Sequence, residues 1–592
     1  MLNRRQFLGT GLSAVALGLA ARNTAAGFFP PGHGHGHGHD HDHDPDHPWP
    51  CADTGSAALD ASFPIGPIDT SAGIQYVNGL PVVKQWFGDD FPTQLQIPFH
   101  QGEAQYPNGA PPEPSESHDV VIIGGGLSGL ATAYALRRHR PVVLELHRRF
   151  GGVSMGERWN DTNFSLGGAY FITPDRGSYL ERLYRELGVT GLRRVSPPTD
   201  DPIEINGAIA EGFWEGAGLT PIEIDGFNQY RFLLLSYVQN YPEIPLSPSA
   251  DNTWIRQLDA MTLRDHITQS LTVPVPKLLQ AAIQGYCYSS FNAGWQEVSA
   301  ASGWNFLAAE EYGRWVLPGG NAGLTSLLAA KLLRLEAGTP RQCPPRHLRS
   351  SCRAVEVRVL GPDNVRVVYK GLDEGFRTIR AKRVVVACPK HVTRQILPGL
   401  AADDPQRLAD FLEVRTRGYV VANVLLNRRP TRRFYDLFLL NQGDFPGTTG
   451  ATTLPGDFQR ITDAVNGSFA RRHGDTSVLT MYWPLPYDEG RFDIIAETSL
   501  QTFAARARAE LDVTLGALDL SIDDVEQVRM SRWGHSMPLA RPGLIASGVC
   551  ERMRTPYRDH IYFVNQDNWA LPAVETCLLE AAAMAPLIEQ GL

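Results

Sequence analysis

HDVVIIGGGLSGLATAYALRRHRPVVLELHRRFGG, residues 118–152, carries the pattern that decides the fold of this chain. Val120–Ile123 is a short, apolar, β-branched run, which is typical of a buried parallel strand. Three glycines follow in the spacing GxGxxG, where they permit a tight turn, the close approach of a pyrophosphate and close packing of a helix on the strand. Leu130–Arg138 has the composition of a helix, and its N-terminus is the expected place for the phosphates.

A second strand is predicted at Pro141–Leu146, and it carries a carboxylate at Glu145 near its end. A carboxylate at this place accepts hydrogen bonds from the hydroxyl pair of a ribose and repels the 2′-phosphate of NADP. Strand, glycines, helix, strand and acid in this order predict a Rossmann-like dinucleotide site. The residues of that site are predicted to be Gly124, Gly126, Leu127, Ser128, Gly129 and Glu145.

The residues that follow this unit resemble those of the flavin amine oxidase and phytoene desaturase superfamily. The resemblance lies in the segment Arg149-Phe150-Gly151-Gly152 and in the Gly-rich turn FSLGGAY at 164–170. It implies that the dinucleotide is FAD. It also implies cofactor contacts along the chain at Arg149, Gly151 and Gly152, and close approach to the isoalloxazine ring at Gly167, Gly168 and Ala169.

Weaker motifs of the same superfamily return later, at 314–321, 353–357, 382–389 and 561–567. The resemblance implies an adenine-side contact at Val355 and an acidic flavin-binding turn at Asp567. It further implies a closing helix over 572–587, whose amides near Val574 face the flavin and stabilise its anionic reduced form.

The expected fold class is therefore α/β, with a discontinuous Rossmann-like FAD-binding domain and an interleaved α+β substrate domain. This interleaving is implied by the resemblance. The boundaries are 118–195, 315–400 and 528–592 for the FAD-binding domain, and 196–314 and 401–527 for the substrate domain.

The first 117 residues are expected to lie outside these domains. Arg4-Arg5, the apolar stretch Leu12–Ala21 and the small residues Thr24–Ala26 form the layout of a signal peptide over 1–26. The string NRRQFL at 3–8 resembles a twin-arginine signal, which implies the Tat translocon as a partner during export and a periplasmic or extracellular location. An ordinary Sec signal or a retained anchor is the alternative. Residues 27–117 are expected to be a disordered His-rich tract followed by an extended Pro/Gly-rich arm.

The His-rich tract suggests metal binding without catalysis. Imidazole is a good ligand for Zn, Ni and Cu, but a flexible tract cannot hold an open coordination position. A solvated linker with adventitious affinity is the alternative interpretation. The candidate ligands are His33, His35, His37, His39, His41, His43 and His47.

Few residues point to a catalytic group. Many amine oxidases of the superfamily carry a Lys that holds a water beside the flavin, but the matching stretch 417–426, RGYVVANVLL, has none. The candidates are Trp569, as an aromatic frame for the substrate, and His535, as a proton acceptor near neutral pH. Structural packing is the alternative role for both. Further aromatic candidates for the pocket are Tyr482, Trp483 and Trp533.

The sequence and the resemblance together predict an FAD-dependent, amine-oxidase-like oxidoreductase. It would oxidise a small-molecule amine or another C–H donor by hydride transfer. The alternatives are a flavin desaturase or isomerase of an apolar lipid or polyene, and a metal-binding accessory protein in which FAD is structural. The net charge of −9, with scattered basic residues, disfavours nucleic acid as a partner. The mature chain has no run of about 18 apolar residues, so no membrane span is predicted in it.

Overall fold

Twenty-three strands and the helices between them are seen in the described part of the chain. The computed structural model describes residues 62–89, 106, 109–197, 201–336, 347–371, 375–440, 460–471 and 474–592, all within the unit Asp53–Leu592. The strands are β1 (Ile65–Pro67), β2 (Ile74–Val77), β3 (Leu80–Val83), β4 (Phe87–Gly88), β5 (Glu116–Ile123), β6 (Val142–Leu144), β7 (Gly156–Trp159), β8 (Thr162–Ser165), β9 (Phe171–Ile172), β10 (Arg194–Ser196), β11 (Ile203–Ile205), β12 (Ala208–Ile209), β13 (Arg314–Val316), β14 (Leu348–Arg349), β15 (Cys352–Gly361), β16 (Asn364–Gly371), β17 (Phe376–Val386), β18 (Tyr419–Leu426), β19 (Asp436–Leu439), β20 (Asp463–Asn466), β21 (Ser477–Pro484), β22 (Val525–Trp533) and β23 (Ile561–Phe563).

The α-helices alternate with these strands and supply the outer layers. They are α1 (Leu127–Ala135), α2 (Tyr179–Leu187), α3 (Val189–Leu192), α4 (Pro221–Gln239), α5 (Thr253–Asp259), α6 (Leu263–Ser270), α7 (Lys277–Phe291), α8 (Ala300–Ala309), α9 (Asn321–Glu336), α10 (Lys390–Ile396), α11 (Leu400–Asp403), α12 (Pro405–Glu413), α13 (Gly490–Asp493), α14 (Ser499–Ala517), α15 (Val549–Arg554) and α16 (Val574–Gln590).

The seven-stranded sheet takes its strands from three separate parts of the sequence. Its order is β14-β6-β5-β17-β16-β15, and β23 also pairs with β17. The strands β14, β6, β5, β17 and β23 run parallel, whereas β15, β16 and β17 form an antiparallel meander. The last four residues of β5 are buried, because helices cover this part of the sheet.

Helices α1 and α16 pack against each other over this sheet, and α9 also packs against α1. Leu130 and Leu578 are fully buried in the core that these helices share with the sheet. The carboxyl ends of β5, β6, β17 and β23 therefore meet at one edge, which is where open α/β sheets bind their ligands.

The second large sheet has ten strands, in the order β12-β11-β19-β20-β21-β18-β22-β3-β2, with β4 beside β22. Every residue of β18 is buried, since helices and loops cover both of its faces. Most of the sheet comes from 203–209 and 419–533, but β2, β3 and β4 come from the N-terminal part of the chain.

The segment 62–89, which we call the N-terminal arm, forms strands that pair with two different sheets. Strand β1 pairs with β7, and β3 and β4 pair with β22. Arg529 on β22 is completely buried, and it forms a two-pronged ion pair with Glu157 on β7. The same guanidinium donates to the Asp69 carbonyl oxygen at 3.0 Å and lies 4.0 Å from the ring centre of Phe87.

The expected mixed α/β class with a Rossmann-like domain is confirmed, and several helix boundaries move. The helix after the glycines begins at Leu127 instead of Leu130, since Gly126 takes the extended N-cap conformation. The closing helix is Val574–Gln590 where 572–587 was expected. Among the described helices, none has the length and the apolar run needed to cross a membrane.

Candidate functional site

The turn after β5 has the close packing that its glycines were expected to permit. Gly124 has a φ of 105°, which an L side chain rarely adopts. A Cβ at Gly129 would lie 1.8 Å from the Gly124 carbonyl oxygen. Helix α1 begins at Leu127 with Ser128 in its first turn; no side chain caps it, and that turn has no acidic residue. Its positive N-terminus is thus left for an anion.

Glu145 lies directly after β6 and faces the glycine turn. Its carboxylate accepts hydrogen bonds from the amides of Gly125, at 2.6 Å, and His147, at 2.7 Å. Burial nevertheless raises the pKa of Glu145 to about 7. The carboxylate is therefore held in place, in an environment where further donors would stabilise its ionised form.

The RFGG segment meets the glycine turn through its backbone. The Gly151 amide donates to the Gly125 carbonyl at 2.9 Å, and Gly151 and Gly152 both have positive φ angles. The side chain of Arg149, expected along the cofactor, donates to the carbonyls of Gly156, at 3.1 Å, and Pro67, at 3.3 Å. Its guanidinium therefore connects strand β7 with the N-terminal arm.

The Gly-rich turn at 164–170 packs directly on the backbone that follows the RFGG segment. A Cβ at Gly167 would lie 2.1 Å from the Val153 carbonyl oxygen, and a Cβ at Gly168 would lie 2.6 Å from the side-chain nitrogen Nδ2 of Asn321. Ala169 is nearly buried beside Gly320. The turn at 164–170 is thus brought against two other motifs, the RFGG segment and the segment 314–321.

Three further predicted residues lie on other elements. Val355 occupies an irregularity in β15, whose first residue, Cys352, donates its amide to the carbonyl of Glu145 at 2.7 Å. Val574 is the first residue of α16. Asp567 is buried in the turn after β23, accepts the Lys390 amide at 2.8 Å, and has a pKa raised by burial.

Lys390 is a buried cation that the sequence analysis missed. It follows β17 at the ligand-binding edge, and its Nζ donates to the side-chain oxygens of Asn565, at 3.1 Å, and Asn568, at 2.5 Å. Burial lowers the pKa of Lys390 to about 8. A Cys-Pro-Lys sequence at a strand end gives no local signal for this role, because the partners lie about 175 residues away.

Because its pKa is lower in the folded than in the unfolded chain, Lys390 should stabilise the fold more as pH rises from about 8 to 10.5. We therefore expect the free-energy cost of Lys390→Met to grow over this window by up to about 1.4 kcal/mol per pH unit. Urea unfolding of both proteins at pH 8 and 10 measures it. An equal cost at both pH values would contradict the buried placement of the ammonium.

The two candidate catalytic residues are held by protein partners. Trp569 is fully buried, and its indole N–H donates to Glu580 of α16 at 2.7 Å. His535 is half-buried, contacts the Thr416 hydroxyl at 2.6 Å, and stacks on His391 with ring centres 3.7 Å apart. Both side chains thus have partners within the protein, and their candidate catalytic roles stay predictions.

The aromatic candidates divide between core and site. Trp483 is fully buried against Phe503, and the Trp533 indole donates to the Leu166 carbonyl at 2.8 Å. Tyr482 donates its hydroxyl to the Gly167 carbonyl at 2.8 Å. Trp533 and Tyr482 are therefore both bonded to the Gly-rich turn at 164–170, whereas Trp483 packs in the core.

Tyr482 belongs to a group of tyrosines and acids beside that turn, which we call the tyrosine–acid cluster. Arg314 pairs with Asp201 at 2.6 Å and with Glu310 at 2.5 Å, and it lies 3.4 Å from Asp436. Tyr170 donates to the same Glu310 at 2.6 Å. The members are Tyr170, Asp201, Tyr286, Glu310, Arg314, Tyr435, Asp436, Asp463 and Tyr482.

Carboxylic acids outnumber cations in this cluster. It holds four carboxylic acids and one guanidinium. Burial, and then the repulsion from Asp463, raises the pKa of Asp436 well above its usual range, and burial raises the pKa of Asp463 to about 6. Tyr170 and Tyr482 are half-buried, and burial raises the pKa of both hydroxyls well above the usual range.

The predicted metal ligands His33 to His47 lie outside the described residues. Within the described ranges, no group of His, Cys, Asp and Glu side chains is placed to hold a metal ion.

Comparisons with known proteins agree with this geometry. The family described as "NAD(P)-binding Rossmann-like domain" matches residues 122–187. Oxidoreductase PigB from Serratia sp. (strain ATCC 39006) is 24% identical over 565 residues, 85% of this chain and 79% of that protein. Flavin-containing amine oxidase A from Equus caballus is 43% identical, but over 74 residues, 12% of this chain and 14% of that protein.

The solved structures extend the similarity to most of the chain. Cyclohexylamine oxidase from Brevibacterium oxydans IH-35A superposes with a TM-score of 0.56 and 17% identity, over 80% of this chain and 99% of that chain. A putrescine oxidase variant superposes with a TM-score of 0.57 and 16% identity, over the same shares. The chain thus carries an NAD(P)-binding Rossmann-like domain, is similar in sequence to oxidoreductases, and has a fold shared with amine oxidases of known structure.

Proposed function

We propose that this protein is an FAD-dependent oxidoreductase that oxidises an amine or another C–H donor. The observation that carries the proposal is the continuous connection from the dinucleotide turn to the tyrosine–acid cluster. Gly151 is bonded to Gly125, Gly167 packs on Val153, and Tyr482 donates to Gly167. A cofactor lying along these turns would have its far end beside the cluster.

The residues at the turn fit an FAD molecule. Side-chain atoms are absent where backbone must approach backbone, at Gly129 and Gly167. The uncapped start of α1 suits a pyrophosphate, and Glu145 suits a ribose. FAD, when bound, supplies hydride-accepting chemistry. The protein's own residues bind and orient the two molecules and keep water from the space between them.

The polar cluster favours an amine over the alternative apolar donor. A lipid or polyene would be expected to bind along an apolar funnel, whereas here four carboxylic acids and several tyrosine hydroxyls stand beside the turn. Buried carboxylates need positive partners, and Arg314 is a single cation among them.

Anaerobic reduction of the purified flavoprotein tests the proposal. We expect bleaching of the oxidised flavin band by members of an amine panel, and none by polyenes or lipids. Reduction by polyenes alone would establish the desaturase alternative. A protein that contains no flavin and cannot be reconstituted with it would overturn the proposal.

Glu145 predicts how FAD affinity depends on pH. In the apoprotein this carboxyl is protonated below about pH 7, but ribose hydroxyls donate to its ionised form, so binding should release a proton. We expect the affinity for FAD to rise up to about tenfold per pH unit below pH 7 and then to level off.

Calorimetry of the apoprotein at pH 6, in two buffers of different ionisation enthalpy, counts this proton. Glu145→Gln should abolish the release. Glu510→Gln is the matched control, because desolvation also raises the pKa of Glu510 to about 7, but this half-buried residue lies on α14 and accepts the Ile461 amide. Equal proton release in all three proteins would contradict the assignment to Glu145.

Export through the Tat translocon to the periplasm or the extracellular space is also part of the proposal. It is supported by the Arg4-Arg5 pair and by the need of a flavoprotein to bind its cofactor before crossing a membrane. We expect a variant with Lys at both positions to stay in the cytoplasm with its flavin bound. Unchanged export in cell fractionation would indicate another route.

A further inference from the structure

We propose that the N-terminal arm retains FAD, because Arg149 and Phe150 couple the docking of the arm to the binding of the cofactor. Both residues belong to the RFGG segment beside the dinucleotide turn, and both are bonded to the arm. They are therefore positioning residues, which act on the cofactor through the segment that carries them. This inference rests on the proposed function and adds to it a device that slows the release of FAD.

Phe150 contacts the arm and the dinucleotide turn at the same time. It is 3% exposed, and its amide donates to the Ser62 carbonyl oxygen at 3.0 Å. A Cβ at Gly125 would lie 2.3 Å from the Cδ1 atom of its ring, so the ring lies directly on the turn. The Gly125 amide donates to Glu145, the carboxylate proposed for the ribose. A single residue therefore connects the arm with the groups proposed to bind the cofactor.

Arg149 fastens a second point of the arm. It is nearly buried, and its guanidinium donates to the Pro67 carbonyl on the arm at 3.3 Å and to the Gly156 carbonyl on β7 at 3.1 Å. A Cβ at Gly66 would lie 2.7 Å from its Nη2 atom, so the guanidinium lies against the backbone of the arm. Because this side chain extends from the RFGG segment to the arm, it holds the two segments together.

Strand β1 completes the docking of the arm. The Gly156 amide donates to the Pro64 carbonyl oxygen at 3.0 Å, and β1 pairs with β7 in parallel. Ile65 is half-buried, and a Cβ at Gly319 would lie 2.8 Å from its Cδ1 atom. The arm therefore also contacts the segment 314–321, to which Gly319 belongs.

Cooperative binding of the arm and FAD follows from this arrangement. Residues 149–156 lie between the arm and the dinucleotide turn, so binding of either partner orders this segment for the other. By thermodynamic linkage, FAD must strengthen the docking of the arm by the same factor by which the docked arm strengthens the binding of FAD. For a protein that is exported with its cofactor, as proposed, this coupling keeps FAD from being lost after export.

Hydrogen exchange of the unmodified protein, with and without FAD, measures the coupling. We expect the arm peptide 62–69 to exchange at least about tenfold more slowly in the holoprotein than in the apoprotein. The reference is helix α4, which packs against α8. A general gain in stability would slow exchange in both segments, whereas the proposed coupling slows it further in the arm.

Three variants test the assignment. Ile65→Ala removes the side chain that lies on Gly319, and should raise the rate of FAD dissociation at least about fivefold. Arg149→Met keeps the length of the side chain but loses the bond to the arm, so FAD should no longer slow exchange in the arm. Ile74→Ala is the matched control, because Ile74 lies in the hairpin of the same arm and is 41% exposed. It should change neither quantity. Flavin fluorescence after dilution follows the dissociation.

The outcomes separate this inference from the proposed function. The inference alone would be overturned if FAD slowed exchange in the arm no more than in α4, or if Ile65→Ala released FAD as slowly as Ile74→Ala. A chain that binds no flavin would overturn the proposed function as well. The comparison of apoprotein and holoprotein needs no substitution, so it decides the matter even if a variant does not fold.

Discussion

Replacing Gly129 with alanine should yield a protein that no longer retains FAD. The added methyl group would lie 1.8 Å from the Gly124 carbonyl oxygen, so the first turn of α1 or the end of β5 must move. Overpacking costs about 1–3 kcal/mol even where side chains can shift, and here the obstacle is backbone. We therefore expect the FAD affinity to fall by roughly 100-fold.

The matched control is Gly516→Ala. Gly516 also lies inside a helix, α14, but an added Cβ there meets nothing within 4 Å. It should leave FAD content unchanged and stabilise the helix by about 0.5–1 kcal/mol. Flavin absorption per protein after gel filtration, together with FAD titration of the apoprotein, measures both effects. Normal flavin content in Gly129→Ala would show that the turn does not hold the cofactor.

The second large effect is expected from Arg529→Met. Its side chain is completely buried, and removing it leaves Glu157, which is 3% exposed, without its cationic partner. Removing one member of a buried ion pair costs about 3–5 kcal/mol. The loss should also loosen the N-terminal arm, because the same guanidinium binds the Asp69 carbonyl.

Urea unfolding measures the stability, and limited proteolysis reports cleavage within the arm. Adding Glu157→Gln to Arg529→Met should restore much of the loss, since no buried charge is then left alone. Arg185→Met is the surface control: its ion pair with Glu181 is exposed at Arg185, and its removal should cost no more than about 1 kcal/mol. Similar costs for Arg529→Met and Arg185→Met would refute the structural role of the buried pair.

The dinucleotide turn could be predicted from sequence because its determinants are local. Glycines, strand and acid fall within 22 residues, from Gly124 to Glu145, and each acts through its own backbone or a neighbour. The helix start was misplaced by three residues, since Leu127 and Ser128 have no composition that distinguishes a helix from a loop.

The tyrosine–acid cluster and Lys390 were beyond local reasoning. Tyr170 meets Glu310 across 140 residues, and Arg314 meets Asp436 across 122. A tyrosine or an aspartate inside a strand has no local pattern that marks it as a partner. The bond from Trp569 to Glu580 likewise depends on how α16 packs, which no local pattern predicts.

The N-terminal arm has a consequence for the time course of biosynthesis. Its hairpin β2–β3 turns at Asn78-Gly79, both with positive φ, so it can form as soon as it leaves the ribosome. Its neighbour β22, however, is translated some 440 residues later. Asp69 of the arm and its partner Arg529 on β22 are 460 residues apart in the chain. Until then the hairpin has an open edge that invites pairing with other chains. Slow translation of the middle of the gene, or a shortage of chaperones, should therefore reduce the yield of this protein more than that of one whose first strands find early partners.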